Sequence, residues 1–328
     1  MPKMSTDPQA GTRADPTRFA LSGPTMGTRW SVLFHGAADT ETAPIEAALA
    51  AAVAQVDGQM SPWKPDSALM RVNRAPVGAW IEVPAAFAEV LAAGLEIGRR
   101  SDGAFDVGMG DAVNAWGFGP QPADAGKVKA VLGRGRAPAH ELVELDRQAL
   151  RLRKRGPVVL DFNGIAKGYG ADRLMAVLER FGIRAGLVAI DGELKARGLR
   201  PDGSPWTVAV ERPDYARRAP HSMLALQDAA VATSGDYRHW VQLGQRRLSH
   251  TMDPRRGGPV DGAPASVTVV AASCMAADAW ATALMVRGAE AGMALAARQG
   301  LNALFLERAG AGLRPRAVGP LFAGPAGR

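Results

Sequence analysis

A short apolar run leads into a glycine-rich turn near the middle of the 328-residue chain. Residues 158–174 read VVLDFNGIAKGYGADRL, a pattern that predicts a buried strand ending at Asp161 and then the start of a helix. Gly164, Gly168 and Gly170 carry no Cβ, so the backbone there can approach another group closely. Phosphate is the usual ligand of such a turn, although glycines at a strand-to-helix junction also serve packing. The segment alone leaves both interpretations open.

The composition is that of a folded chain with a sizeable core. Hydrophobic residues make up 47% of the sequence, enough for one large domain or two smaller ones. Residues 1–17 are rich in Pro, Thr and Asp and have no apolar period, which predicts a mobile terminus. We expect a disordered tail over 1–20, one domain over 21–310 and a C-terminal tail over 311–328.

Several classes of protein are disfavoured by what the sequence lacks. No segment approaches about 18 consecutive apolar residues, so no transmembrane helix is expected. The N-terminal residues lack the apolar h-region of a secretory signal, which favours a cytoplasmic location. The single cysteine, Cys274, excludes an intramolecular disulfide and a multi-cysteine zinc site. Its small apolar neighbours predict a buried structural thiol.

The positive charge of the chain is spread over its length. The net charge is +7 and the pI is near 10. Short arginine clusters at 151–155, 212–218 and 255–256 lack the interleaved aromatics of a nucleic-acid-binding stripe. This distribution argues against a nucleic-acid partner and indicates a solvated, arginine-rich surface that attracts an anionic ligand.

Apolar spacing predicts long helices and separate groups of strands. Helical spacing is found over 44–60, 84–100, 165–181 and a final region, 276–299. A loop-rich stretch after Trp116 has room for one short helix. The predicted strands lie at 28–34, as a pair within 141–159, and at 187–190, 206–210, 223–226, 247–251, 266–271 and 303–306. Because strands and helices do not alternate in a βα rhythm, we expect an α+β fold with mixed or antiparallel sheets and packed helices.

A histidine stands where a predicted strand gives way to a turn. The segment SHTMDPRRGGPV places His250 at the strand end and Asp253 three residues later, in a turn made by Pro254 and two glycines. Turns at strand ends commonly display catalytic groups, and histidine is suited to proton transfer near neutral pH. A lone histidine also occurs in purely structural roles, so the motif alone leaves the choice open.

A carboxylate and a hydroxyl share one face of a predicted helix. In the segment AADAWATAL, Asp278 and Thr282 are four residues apart and project from the same side. Oxygen donors of this kind suit a hard cation such as Mg²⁺, which keeps water and substrate phosphate in the rest of its shell. No neighbouring histidine points to a softer metal. The alternative is a polar pair on an alanine-rich core helix.

The aromatic residues fit either a core or the wall of a site for a planar ligand. Phe105, Trp116 and Phe118 follow an Asp-Gly turn, and burial in the core is the simpler interpretation. Trp63 stands in a proline-flanked loop, where it can remain exposed and stack on a ligand. No GxSxG, GxxxxGK(S/T), HExxH or GxGxxG motif occurs, which argues against serine hydrolase, P-loop, zincin and simple Rossmann chemistry.

Taken in order, these motifs resemble those of one family, the ApbE-type FAD:protein FMN transferases. The resemblance covers about residues 21–307 and is carried by ordered blocks: PTMGTRWSV, SPWKPDSALMRVN, SDGAFD with NAWGFG, LDFNGIAKGYGAD, GSPWTVAVERP, VATSGDYRHW, SHTMDPRRGGPV and SVTVVAASCMAADAWATAL. An ordered series of blocks is far more specific than any single one.

The resemblance implies a single large domain of the ApbE-like, T-fold-related type. It also implies an enzyme that binds FAD as a substrate with Mg²⁺, or with Mn²⁺ as an alternative ion. Such an enzyme transfers the FMN moiety to a Ser or Thr hydroxyl of an acceptor flavoprotein and releases AMP. The divalent ion would be held by Asp278, Thr282 and the main-chain carbonyl of Ala166. The oligomeric state is not implied.

Further residue roles follow from the same resemblance. His250 is similar to the family's catalytic histidine, which helps to deprotonate the acceptor hydroxyl, and Asp253 is grouped with it as catalytic. Contacts with FAD would come from Met26, Trp63, Ala104, Phe105, Asp106, Asn163, Tyr169 and Met252, with Trp63 stacking on a ring.

The sequence departs from the family pattern at a few positions. Asp191 and Gly192 stand where a glycine pair is usual, and Arg256 replaces the customary Thr of the turn. Val107 with Gly108 replaces a Pro-Thr pair, and Asn163 replaces a small residue. Two alternatives use the same site: an Mg²⁺-dependent FAD pyrophosphatase, in which water is the acceptor, and a non-catalytic flavin-binding protein.

Overall fold

An antiparallel sheet of eight strands runs through the centre of the molecule. The computed structural model describes residues 16–238, 240–243, 246–262, 264–310 and 312–322; the parts of the expected tails at 1–15 and 323–328 lie outside them. In spatial order the sheet consists of β1 (Thr17–Thr25), β2 (Thr28–Gly36), β6 (Gly186–Ile190), β7 (Glu193–Arg197), β10 (Ala229–Gly235), β15 (Ser266–Ala271), β16 (Asn302–Ala309) and β17 (Gly312–Val318).

Smaller antiparallel sheets surround this central one. They are a three-stranded sheet and three hairpins: β3 (Ile81–Glu82), β5 (Arg151–Lys154) and β4 (Val143–Asp146); β8 (Trp206–Glu211) and β9 (Pro220–Leu226); β11 (Trp240–Leu243) and β12 (Arg246–Ser249); β13 (Met252–Asp253) and β14 (Gly258–Pro259). The helices are α1 (Thr42–Met60), α2 (Ala68–Arg74), α3 (Ala85–Arg100), α4 (Gly110–Ala115), α5 (Ala125–Val131), α6 (Ala139–Leu142), α7 (Ala166–Arg180), α8 (Cys274–Arg287) and α9 (Ala289–Arg298).

The two faces of the central sheet carry different layers. On β16, Ala303 and Phe305 pack into the core formed with the helices, whereas Leu304 and Leu306 pack into a core formed with the β8–β9 hairpin. Successive side chains of a strand point to opposite faces, so this alternation buries both sides of the sheet. The result is a layer of helices on one face and a two-stranded layer on the other.

Helices α7 and α8 lie in close contact on the helical face. A Cβ on Gly168 of α7 would overlap with the main-chain carbonyl of Cys274. Asp172, four residues further along α7, accepts hydrogen bonds from the N–H groups of Cys274 and Met275 at 3.0 and 2.9 Å. The Ser273 hydroxyl accepts a third, from the N–H of Ala276. These acceptors satisfy the unpaired N–H groups at the start of α8 and fix where that helix begins.

Most of the expected elements are confirmed. The α+β class with antiparallel sheets is observed, and the helices expected at 44–60, 84–100 and 165–181 correspond to α1, α3 and α7. The strand pair within 141–159 is β4 and β5. The thiol of Cys274 is fully buried as expected, and burial raises its pKa.

Three of the expected helices and strands differ from the structure. The strand expected to end at Asp161 is wrong: residues 158–161 form an isolated parallel bridge from Val159 to Met109, and none of the strands in the described part of the chain pairs with them. The final helical region is interrupted at Gly288, whose φ of 77° separates α8 from α9. The stretch after Trp116 holds two short helices, α5 and α6, where one was expected.

Both ends of the described chain add edge strands to the sheet. β1 begins at Thr17, inside the expected tail over 1–20, and pairs along its whole length with β2. β17 lies within 311–328 and pairs with β16. Neither strand has a strong apolar pattern in its sequence. Backbone hydrogen bonds to the neighbouring strand hold these residues in place. Among the described residues, no helix is both long and apolar enough to cross a membrane.

The close approach of α7 to α8 leads to a stability prediction. Gly168→Ala should destabilise the protein by about 1 to 3 kcal/mol, because the added methyl group meets a main-chain carbonyl that cannot move away on its own. Gly58→Ala on α1 is the matched control, since a Cβ there meets nothing within 4 Å and alanine favours the helix by about 0.5 to 1 kcal/mol. Urea unfolding of the two variants should therefore give changes of opposite sign. Equal stability of the two variants would contradict the packing described.

Candidate active site

The first turn of α7 and the middle of α8 form a corner lined by oxygen atoms. The N–H of Gly168 donates a hydrogen bond to Oδ2 of Asp278 at 3.0 Å. Asp278 is only 5% exposed, and burial raises its pKa to about 6, against the lowering effects of the Lys167 ammonium and the Gly168 N–H. A carboxylate removed from water in this way gains more from a bound cation than an exposed one does.

Thr282 completes the α8 side of this corner. Its hydroxyl oxygen lies 3.2 Å from Oγ of Ser234, at the end of β10. Gly164 faces it from the turn before α7: a Cβ there would stand 3.2 Å from both Oγ1 of Thr282 and Cε2 of Phe105. Because Gly164 has no side chain, there is room beside the Thr282 hydroxyl. Asp278 and Thr282 lie on one helix, as the sequence predicts.

A lysine and two carboxylates lie beside the corner. Nζ of Lys167 is 3.2 Å from Oε1 of Glu193 and 3.5 Å from Oδ2 of Asp191. Burial by itself lowers the pKa of Lys167. The nearby carboxylates of Glu193, Asp278 and Asp191 have the larger effect, so the pKa of Lys167 is raised. Burial raises the pKa of Glu193, and Oε2 of that residue is buried without a hydrogen-bond partner among the described atoms.

The donor set of the corner suits a hard divalent cation. Asp278 supplies a carboxylate, Thr282 a hydroxyl, and Ala166 stands in the same first turn of α7 with a main-chain carbonyl. Within the described residues, no three His, Cys, Asp or Glu side chains converge to hold a metal. A cation with so few protein ligands keeps places for water and for substrate phosphate, as Mg²⁺ usually does.

The residues expected to contact FAD near α7 lie in different environments. Met26 occupies the turn between β1 and β2 with a φ of 44°, and its Cε methyl packs against Gly170 of α7. Ala104 and Phe105 are buried, and Phe105 reaches the corner at Gly164. Met26 and Phe105 therefore lie beside Gly170 and Gly164, on the segment that begins α7, whereas Ala104 is part of the buried core.

Asp106 and Tyr169 use their polar atoms inside the protein. The Asp106 carboxylate accepts the N–H groups of Gly108 and Ala139 at 2.7 and 3.1 Å, and burial raises its pKa. The Tyr169 hydroxyl donates to Oε2 of Glu89 on α3 at 2.9 Å, and burial raises the pKa of Tyr169 to about 12. Both side chains support the site through the fold, and a contact with FAD stays a prediction for each.

Asn163 and Trp63 are exposed. Asn163 donates its main-chain N–H and its side-chain Nδ2 to the Asp161 carboxylate, at 2.9 and 3.0 Å, which closes the turn before α7. Trp63 is 62% exposed in the loop between α1 and α2, as the sequence predicts. Its main-chain N–H donates to the hydroxyl of Ser61. The indole therefore presents a ring face to solvent at a loop of defined shape.

His250 stands in a second part of the site, directly after β12. Its ring is half-buried and lies 6.4 Å, centre to centre, from the ring of Phe118 in an edge-on arrangement. Met252 is buried against Met109, Ala112 and Val113 around α4. His250 and Met252 are thereby packed against the segment that follows Phe105 and Asp106 in the chain.

The loop after His250 is held by main-chain hydrogen bonds. The Asp253 carboxylate accepts a hydrogen bond from the N–H of Arg255 at 2.9 Å. The main-chain carbonyl of Asp253 accepts one from the N–H of Gly257 at 2.9 Å. Nε1 of Trp116 donates to the carbonyl of Gly257 at 3.2 Å, and the N–H of Gly133 donates to the carbonyl of Arg256 at 2.7 Å. Asp253 is thus a turn-forming residue, and a catalytic role for it stays a prediction.

The structure brings most of the candidate residues into two groups linked by residues 104–110, and no described contact joins Trp63 to either group. One group surrounds the α7–α8 corner, and the other surrounds His250; Phe105 belongs to the first, and Met109 packs in the second. Sequence reasoning missed Ser234, Lys167 and Glu193 as parts of the corner. Ser234 and Lys167 lie in blocks that carry the family resemblance, but Glu193 has no sequence signal other than its position after Asp191.

The fold places the chain in a class of α+β proteins whose solved members include flavin transferases. The Pseudomonas stutzeri structure described as the flavinyl transferase ApbE, apo form, has a TM-score of 0.83 and 37% identity, over 95% of this chain and 97% of that one. The Vibrio cholerae flavin transferase ApbE has a TM-score of 0.82 and 32% identity, over 94% and 98%.

The chain belongs to the ApbE family, whose family model matches residues 26–305. Relatives named FAD:protein FMN transferase are 34% identical in Salmonella typhimurium and 35% identical in Escherichia coli K12. The first alignment covers 92% of this chain and 88% of the relative, and the second covers 88% and 84%. The family expected from the sequence motifs is confirmed.

The buried carboxylate leads to a prediction about pH and stability. Burial holds the pKa of Asp278 at about 6, above its ordinary value of 3.8. The folded state therefore binds this proton more tightly, and the contribution of Asp278 to stability is present below pH 4 and lost as the pH rises through 6. Asp278→Asn removes this loss. In EDTA, the variant should gain stability relative to the wild type between pH 4 and pH 7, by on the order of 2 to 3 kcal/mol.

Urea unfolding of both proteins across this pH range provides the measurement. A difference in unfolding free energy that stays constant from pH 4 to pH 7 would mean that Asp278 titrates as an exposed carboxyl does.

Proposed function

We propose that this chain is an FAD:protein FMN transferase that acts with a divalent cation, Mg²⁺ or Mn²⁺, at the α7–α8 corner. The observation that carries the proposal is the meeting of Asp278 and Thr282 with the glycine-rich first turn of α7, through the hydrogen bond from Gly168 to Asp278. Relatives of that name, aligned over most of this chain, support it. The substrates are FAD and a Ser or Thr hydroxyl of an acceptor flavoprotein.

The corner combines features that a pyrophosphate substrate requires. N–H groups at the start of α7 and the Lys167 ammonium supply positive potential beside buried oxygen donors. The cation would be held by Asp278, Thr282 and the carbonyl of Ala166. It would neutralise the charge that develops on the phosphate oxygens. Glu193 and Asp191 keep the Lys167 ammonium next to this position. The protein itself orients the pyrophosphate for in-line attack.

His250 is the residue that we assign to proton transfer. The acceptor hydroxyl oxygen forms a bond to the FMN phosphorus, the bond from that phosphorus to the bridging oxygen of AMP breaks, and AMP leaves with the bonding electron pair. The hydroxyl proton passes to the His250 imidazole. Packing of the ring against Phe118, and the fixed loop after it, limit the directions in which the imidazole can point.

The function is tested by weighing an acceptor. The purified chain is incubated with FAD, Mg²⁺ and a flavoprotein domain that carries a candidate Ser or Thr, and the domain is examined by mass spectrometry. We expect a mass gain of one FMN unit, with AMP released in equal amount. His250→Ala should slow this transfer by on the order of 10²-fold while FAD binding is retained, because the variant lacks the proton acceptor.

Two other results have distinct meanings. FMN and AMP formed without labelling of any acceptor would indicate a pyrophosphatase, in which water takes the place of the hydroxyl. Equal losses of FAD affinity and of rate in His250→Ala would make the histidine a binding or structural residue.

Cation binding is tested without any turnover. A cation that binds only the folded state raises the melting temperature with its concentration. We expect Mg²⁺ to raise the Tm of the wild type, and Asp278→Asn to abolish this rise because the charged oxygen donor is removed. Asp39→Asn, a substitution of an exposed carboxylate, is the matched control and should keep the full rise. If Mg²⁺ raised the Tm of Asp278→Asn as much as that of the wild type, the cation would not bind at this corner.

A further inference from the structure

An asparagine side chain pairs with the main chain of a residue 87 positions further along the sequence. Asn73, near the end of α2, accepts a hydrogen bond from the N–H of Leu160 at 2.7 Å and donates one to the carbonyl of the same residue at 2.9 Å. A carboxamide carries a donor and an acceptor in one plane, as a peptide group does. Asn73 therefore makes with Leu160 the pair of bonds that a residue of a neighbouring strand would make.

The other edge of this segment is paired with residues 107–110. The N–H of Gly110 donates to the carbonyl of Val159 at 2.9 Å, and the N–H of Asp161 donates to the carbonyl of Val107 at 2.8 Å. Neighbouring residues of an extended chain direct their N–H and C=O groups to opposite edges. These two bonds therefore lie on the edge opposite to the asparagine, and the segment is held on one edge by main-chain groups and on the other by one side chain.

The segment connects the two groups of site residues. At its end the chain turns into α7, which borders the α7–α8 corner. On its paired edge Val159 bridges to Met109, which packs with Met252 in the group around His250. The contact of α7 with α8 at Gly168 does not involve the segment. A shift of the segment would therefore move the histidine group while the corner keeps its own packing.

A buried lysine holds the main chain of the asparagine. Nζ of Lys154, on β5, donates to the main-chain carbonyl of Asn73 at 3.0 Å. This carbonyl belongs to the last turn of α2, where carbonyls have no partner within the helix. Leu160 is also buried, so its peptide groups need a partner from the protein. The lysine thus fixes the point from which the carboxamide reaches Leu160.

We infer that Asn73 is a positioning residue for the transfer reaction: its carboxamide takes the part of a neighbouring strand beside residues 158–161 and sets the distance between the α7–α8 corner and His250. This inference rests on the proposed function, which assigns the FAD pyrophosphate to the corner and the proton transfer to the histidine. In-line attack needs both in register, and a misplacement of about 1 Å can lower a rate by about 10²-fold.

Hydrogen exchange measures the positioning without any turnover. In Asn73→Ala, we expect the amides of residues 107–110 and 159–161 to exchange about tenfold faster than in the wild type, or more, because the segment loses its bonds on one edge. The first amides of α8, at Cys274 and Met275, should keep their exchange rates, since Asp172 still holds them. An equal increase at both places would indicate a general loss of stability and would overturn the inference.

Asn302→Ala is the matched control. Asn302 is a second half-buried asparagine, at the start of β16, and its side chain accepts the N–H of Leu321 at 3.0 Å. This bond also joins a side chain to a distant main-chain group, but it lies at the β16–β17 edge of the sheet. The control should leave exchange at residues 107–110 and 159–161 unchanged.

Transfer kinetics provide the second measurement. With a flavoprotein domain as acceptor, Asn73→Ala should lower kcat by about tenfold or more. The dissociation constant for FAD, measured by calorimetry in EDTA, should stay within about threefold of the wild type, and the Mg²⁺-dependent rise in Tm should be retained, because the corner is intact. Lys154→Met keeps the carboxamide but frees its main chain, so it should lower kcat in the same way by a smaller factor. Asn302→Ala should keep the wild-type kcat.

The remaining outcomes are distinct. An unchanged kcat in folded Asn73→Ala, or equal losses of kcat and FAD affinity, would overturn the inference. If Asn73→Ala does not fold, Asn73→Asp provides the same test, because it keeps the acceptor for the Leu160 N–H and lacks the donor for the carbonyl. Absence of FMN transfer by the wild type would instead reject the proposed function, and the exchange rates would still decide whether Asn73 holds the segment.

Discussion

The contact between α7 and α8 at Gly168 is the constraint on which the rest of the site depends. The main chain of α7 comes so close to α8 that only glycine fits, and this closeness places the Gly168 N–H on the Asp278 carboxylate. Asp172, on the next turn, holds the first N–H groups of α8 and so fixes the register between the helices. The positions of Asp278 and Thr282 relative to the first turn of α7 follow from that register.

The charge balance of the corner follows from the same packing. Two carboxylates, Asp278 and Glu193, are buried near one ammonium, that of Lys167, and burial raises the pKa of both acids. Buried charges are costly unless they are paired. We propose that a divalent cation completes the charge balance here, because two buried acids lie near one ammonium. The electrostatic arrangement and the oxygen donors therefore favour the same kind of ligand.

Local patterns predicted the parts of the site that lie within single elements. The spacing of Asp278 and Thr282 on one helix, the exposure of Trp63 and the position of His250 after a strand could all be read from a few neighbouring residues. Contacts between distant segments could not. Gly168 and Asp278 are 110 residues apart, and Lys167 pairs with Glu193 across a helix and a strand. Residues 158–161 have the apolar character of a strand, but no described strand pairs with them.

Two contacts of the loop that follows His250 are made by its peptide groups. Trp116 and Gly133 bind the carbonyls of Gly257 and Arg256, and neither contact involves the Arg256 side chain. The Arg256 side chain, where the resemblance led us to expect threonine, is therefore compatible with this loop path. The side chain of Arg256 can therefore vary while the peptide groups of Arg256 and Gly257 keep the path of the loop.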